Sequence, residues 1–224
     1  GSLIFNGSAE FPGSTTLVSD TIDFNGGDDS VTGTGELNIL PATDGASIDI
    51  GGTSGDLNLN VGALSGFEGA LSIGGIIEDP SNVTVVASSI VISDDLDLGT
   101  GDLALIAEDS IVMQNGTISG DQLILLAASR DSEILNSGGN STLLRGNEIV
   151  LVAGVAVGED EQGKNLNAIA ASSGATLEVA VSTENAYVIN KNNSLAQTTN
   201  RDTVLAAALA LSLIHISEPT RLRR

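Results

Sequence analysis

The densest set of groups that could do chemistry is SDDLDLGTGD at residues 93–102, which places Asp94, Asp95, Asp97 and Asp102 around a glycine turn. Carboxylates so grouped suit two chemistries. A pair held at a set separation beside a sugar cleft hydrolyses glycosidic bonds, one carboxyl as acid and the other as base or nucleophile. Several converging from a loop hold a hard cation, calcium above all, through oxygen. Two other stretches fit the second chemistry. NGGDDS at 25–30 has a faint likeness to the glycine–aspartate nonapeptide of calcium-binding β-rolls, in a single copy, and GEDEQG at 158–163 is a third acidic cluster. The plain alternative for each is a solvated, negatively charged turn, and that reading is preferred. Sugar sites also use aromatic platforms, and this chain has no Trp, one Tyr (Tyr187) and four Phe. The single histidine is His215 and there is no cysteine, so a Ser–His pair or a thiol nucleophile lacks its parts. No residue is therefore assigned a catalytic, cofactor-binding or metal-ligating role, and no cofactor is expected.

The elements that would position such groups must be built from an unusual composition. Hydrophobic residues make up 41% of the 224 residues, yet aromatics only 2%. A core made of Ile, Leu, Val and Ala suits a thin interior of stacked, similar layers. The 27 glycines fit many tight turns, where positive φ has no steric cost. The formal net charge is −21. Such a chain is a poor partner for nucleic acid, whose phosphates need a basic surface, and for anionic membranes. The longest apolar run, VLAAALALSLI, is too short to span a bilayer. A start without Met or a basic leader, GSLIFNGSAEF, fits an internal fragment of a longer chain.

Internal repeats carry the fold assignment. VTVVAS from Val83, LALIAE from Leu103, LILLAA from Leu123 and IVLVAG from Ile149 align, with offsets of 20, 20 and 26 residues. Their first, third and fifth positions are apolar, the period-two signature of a strand. SIVIS at 89–93 and SIVMQ at 110–114 add a second strand to the period, and glycine-rich turns follow. Earlier, ELNIL (36–40), SIDI (47–50), DLNLN (56–60) and ALSI (70–73) follow the same strand-and-turn grammar, while TLEVAVS and AYVIN read as a later strand pair. The expected fold is all-β: a right-handed parallel β-helix (β-solenoid) with coils of about 20 residues, equivalent strands stacking about 4.8 Å apart. The fourth position of each repeat is apolar too (Val86, Ile106, Leu126, Val152), so a further segment is expected to cover that outer stripe.

Residues 20–155, from SVTGTGELNILPATDGASIDIGG onward through NVTVVASSIVISDDLDLGTGDLALIAEDS, resemble the β-helical repeats of very large bacterial exoproteins of the filamentous haemagglutinin type. The resemblance implies a secreted or surface-displayed protein with an adhesive role; no segment is similar to the amino-terminal secretion domain of that family. The last stretch resembles something else. LSLIHISEPTR at 211–221 is one reading frame of a widely used transposase-type sequencing adapter, so His215 and the terminal arginines are expected to be foreign to the rest.

Four regions are thus expected: an irregular short-rung solenoid over 1–81, regular 20-residue repeats over 82–153, an irregular β and loop region over 154–210, and a non-native tail over 211–224. The expected function is a structural stalk or adhesive repeat segment of a protein on the bacterial surface, without catalysis of its own. Its expected partners are flanking repeats of the parent chain, and glycans or proteins bound through other regions. Two alternatives stand beside it: a polysaccharide-cleaving enzyme on the same fold, and a calcium-stiffened surface-layer or biofilm matrix protein.

Overall fold

The computed structural model describes residues 1–79, 82–138 and 143–158, together with the strand backbones 169–171, 176–181, 188–190 and 195–197. The chain forms a parallel β-solenoid of about six turns spaced about 23 residues apart, with almost no helix. The spacing exceeds the 20 residues expected because only one step is that short, Leu103 onto Leu123. Elsewhere the corners carry extra residues.

In chain order the strands cycle over three faces. Strands β1 (Ser2–Phe5), β2 (Ala9–Glu10) and β3 (Thr15–Val18) are followed by β4 (Thr21–Phe24), β5 (Val31–Thr32) and β6 (Glu36–Leu40). Next come β7 (Ser47–Ile50), β8 (Leu57–Leu59), a one-turn helix α1 (Val61–Leu64) and β9 (Ala70–Ile73). Strands β10 (Gly75–Asp79) and β11 (Asn82–Val85) lead into the regular part. That part comprises β12 (Ser89–Ile92), β13 (Leu96–Asp97) and β14 (Asp102–Ala107), then β15 (Ser110–Met113), β16 (Thr117–Ser119) and β17 (Gln122–Ala127). It continues with β18 (Glu133–Asn136), β19 (Leu143–Arg145), β20 (Glu148–Ala153) and β21 (Ala156–Val157). The last strands are β22 (Ile169–Ala171), β23 (Thr176–Val181), β24 (Val188–Asn190) and β25 (Leu195–Gln197).

The third face is one continuous eight-stranded sheet in the order β25-β23-β20-β17-β14-β9-β6-β3. The first face carries β1-β4 and then β8-β7-β12-β15-β18-β21; the second carries β2-β5 and β13-β16-β19-β22-β24. Register stacks like on like. Leu37, Leu71, Leu103, Leu123 and Ile149 form one inward ladder, and Ile39, Ile73, Leu105, Leu125 and Leu151 form the next. Every one of these side chains is at most 1% exposed. Such a column buries apolar area in proportion to its length, which is how an aromatic-poor core holds together. The four phenylalanines sit in the amino-terminal coils. Phe5 stacks on Phe24 at 5.0 Å, while Phe67 closes the interior beside α1.

A glycine column turns the chain into the third face. Gly13, Gly35, Gly69, Gly101, Gly120 and Gly146 lie one above another, each against the backbone of the glycine before it. A Cβ on Gly69 would stand 2.1 Å from the Gly35 carbonyl oxygen. The closeness is functional for the stack: the N–H groups of Ala70, Asp102 and Asp121 donate to the carbonyls of Gly35, Gly69 and Gly101 at 3.0, 3.1 and 2.8 Å. Only a residue without a side chain lets the corners approach at strand spacing.

Two expectations are corrected. VTVVAS is not a rung. Its strand β11 pairs antiparallel with β10, forming a hairpin outside the stack. TLEVAVS and AYVIN do not pair with each other: β23 stacks on β20 in the third face and β24 on β22 in the second. The expected cover over the apolar outer stripe is present, and it is the hairpin. Ile77, Val83 and Val85 pack with Ile106, Ile124, Leu126, Val150 and Val152 in a second hydrophobic cluster outside the main core.

The chain also re-enters itself once. Strand β8 pairs parallel with β7 only nine residues away, Ile48 opposite Leu57. It lies between β7 and β4, so the chain passes one level up the first face and comes back to fill the gap.

Candidate functional site

The aspartates singled out in the sequence fall at corners, where the strand ladders are interrupted and backbone N–H groups need other acceptors. Asp95 accepts the N–H of Thr117 in the next coil. Asp102 accepts the N–H of Gln122 at 3.1 Å, again one coil on. Asp97 closes its own turn by accepting from Gly99 N–H at 3.0 Å, and Asp94 accepts from Asp95 N–H at 2.8 Å. In NGGDDS, Asp29 takes φ +53° and its N–H donates to the Gly62 carbonyl. GEDEQG lies outside the described residues apart from Gly158. Among the described residues no group of three or more acidic or histidine side chains is placed to hold a metal ion.

Carboxylate staples between coils recur at positions the sequence did not flag. Asp20 accepts both the N–H and the hydroxyl of Thr43, at 2.7 and 2.9 Å, and these bonds hold its carboxyl below the usual range. Asp56 does the same with Ser47, at 2.9 and 2.8 Å, with the same effect on its carboxyl. The corner acids therefore work chiefly as acceptors tying one coil to the next. Asp95→Ala should lower unfolding free energy by about 1 kcal/mol, since the Thr117 N–H loses its protein acceptor. Urea unfolding of the variant beside the parent protein checks this.

Asp49 is the most deeply placed of these acids, at 1% exposure on β7. Its Oδ2 accepts from the Ser54 N–H and hydroxyl at 2.8 and 2.5 Å, and its Oδ1 accepts from the Ser93 hydroxyl at 2.7 Å. Burial alone raises this carboxyl; the bonds from Ser54 and Ser93 outweigh it, and the net position is below the ordinary value. The loop that returns β7 to β8 closes around it so tightly that a Cβ on Gly52 would meet the carboxylate at 2.3 Å. Asp49 is thus the pin of the re-entrant loop.

The one sizeable concavity lies on the outside of the third face. It is a cleft of about 440 Å³ that crosses successive coils beside the glycine column, with Ile77 and Ile124 forming an apolar flank. Glu36, Glu68, Asp102 and Asp121 supply carboxylates along it, and Asn38 lies within. Asn38 stacks between Thr16 and Ser72 on the outer side of the sheet. Further along the same ladder come Ala104, Ile124 and Val150, where the covered apolar stripe begins. The cleft is thus the polar, uncovered continuation of that stripe. Asn38 and Glu36 drew no attention as sequence because ELNIL reads as an ordinary rung. The outward Asn between two inward apolar residues was the available signal.

No protein-family model matches the chain, and no curated protein or solved structure shows significant similarity to it.

Proposed function

We propose that this chain is a structural repeat segment of a large bacterial surface protein, a stalk that carries adhesive regions and performs no catalysis itself. The observation that supports the reading best is the uninterrupted eight-stranded third face, in register from β3 to β25. A continuous ladder of this kind transmits load along its axis through backbone hydrogen bonds. The resemblance to filamentous haemagglutinin-type repeats agrees, and so does an outer surface whose carboxylates bind the coils together. Flanking coils are its natural neighbours: β1 and β3 stand at open sheet edges, and Ile4 and Val18 on them are more than half exposed.

Pulling the chain by its ends in a force spectrometer tests the mechanical role. Detachment coil by coil should release about 23 residues per event, roughly 80 Å of contour at about 3.5 Å per residue. Unfolding at negligible force without steps would contradict a load-bearing stalk. Millimolar calcium should leave the melting temperature unchanged, because the corner carboxylates already serve backbone donors. A rise of many degrees would favour the calcium-stiffened matrix protein instead.

The acid-lined cleft favours one second reading, cleavage of a polysaccharide along the third face. Release of reducing ends or unsaturated uronates from a panel of acidic and neutral polysaccharides would establish it.

A further inference from the structure

We infer that the cleft on the third face is a binding site for an extended ligand bearing primary ammonium groups, one of which donates to Asn38 Oδ1. This goes beyond the stalk role and does not rest on it.

Asn38 is 3% exposed, and its Oδ1 has no hydrogen-bond partner. The amide orientation is fixed by its other end: Nδ2 donates to Glu36 Oε1 at 3.0 Å and approaches Thr16 Oγ1 at 3.5 Å. Exchanging the two amide atoms would set a carbonyl oxygen against the Glu36 carboxylate, so the acceptor must face the cleft. A buried acceptor left without a donor is costly to the fold, and its persistence next to a cavity points to a donor supplied from outside.

The surroundings select the donor. Glu36 and Glu68 flank the cleft and Asp102 and Asp121 continue it, while no Lys or Arg lines it. An anion is therefore excluded. A bare metal ion is disfavoured because no three acids converge among the described residues. A neutral hydroxyl would satisfy Asn38 but leave the carboxylates unused. An ammonium group satisfies both, with N–H donors for Asn38 and charge opposite the glutamates. The volume of about 440 Å³ lies in the range of small-ligand sites. Because the lining comes from successive coils, the ligand runs along the axis. Linear polyamines and amino-sugar oligomers both offer this chemistry.

Titration calorimetry on the full chain with spermidine, with a glucosamine tetramer and with its N-acetylated counterpart separates the sources. At least one amine probe should bind with a millimolar or lower Kd that weakens with salt, and the acetylated tetramer should not bind. Asn38→Val should reduce affinity by about tenfold while melting no lower than the parent, since it removes a partnerless buried acceptor. Glu68→Gln, an exposed wall residue, should cost several-fold and decides the matter should Asn38→Val fail to fold. The inference is overturned if neither amine binds, if the acetylated tetramer binds equally well, or if the foldable variants bind like the parent.

Discussion

Gly69→Ala should destabilise the solenoid by about 3 kcal/mol or more, among the largest effects of any single methyl addition to this chain. The added carbon would overlap the Gly35 carbonyl oxygen at 2.1 Å and the Thr34 carbonyl carbon at 2.9 Å, and both are backbone. No side-chain rotation relieves such a clash. Relief requires the corner to lift away from the coil beneath, which breaks the Ala70 N–H bond to Gly35 and shifts Leu71 in the core ladder. Gly27 provides the contrast, because a Cβ there meets nothing. Gly27 has φ +88°, so Gly27→Ala carries backbone strain alone, of order 1 kcal/mol. Equilibrium urea unfolding of the two variants separates stacking from turn strain.

Asp49→Ala should cost a comparable amount, about 3 kcal/mol, because it leaves the Ser54 N–H and two serine hydroxyls in a buried loop without their acceptor. Asp49→Asn should cost less, since one acceptor oxygen remains. The same carboxylate gives the fold an acid dependence. Its folded pKa lies below the ordinary value of 3.8, so its stabilisation is fully present above the unfolded pKa. It disappears as pH falls below about 4 through the depressed folded value. Asp20 and Asp56 shift the same way and act in the same window. Unfolding measured from pH 6 to pH 2 should show a fall in stability below pH 4 that is shallower in Asp49→Ala.

Much of the solenoid was legible because its rungs repeat in kind. Leu103, Leu123 and Ile149 announce one ladder through alternation and through the glycine that precedes each by two or three residues. The hairpin was misread for a physical reason. Period-two alternation reports that a segment is extended and half-buried, and it is the same for a parallel rung and for an antiparallel cover strand. Val83 and Val85 satisfy that pattern while packing on the outside of Ile106. The first five strands escaped notice because β2 and β5 are two residues long and β3 begins with threonines. The acidic turns were conspicuous in composition, yet their partners are backbone N–H groups about one coil away, which composition does not display. Asn38 was hidden in the same way: its missing partner is a property of Thr16 and Ser72, 22 and 34 residues distant in sequence, and of the cleft they border.

The most direct test of the account is the cross-strand proton contact map of the isotopically labelled chain. In-register parallel stacking predicts amide-to-α-proton contacts joining the third-face rungs in sequence, Leu71 with Leu103, Leu103 with Leu123, and Leu123 with Ile149. It also predicts one antiparallel pattern, between Ile76 and Thr84. A map in which LALIAE and LILLAA pair antiparallel, or in which Leu103 shows no contact with Leu123, would contradict the solenoid and with it the stalk and the cleft.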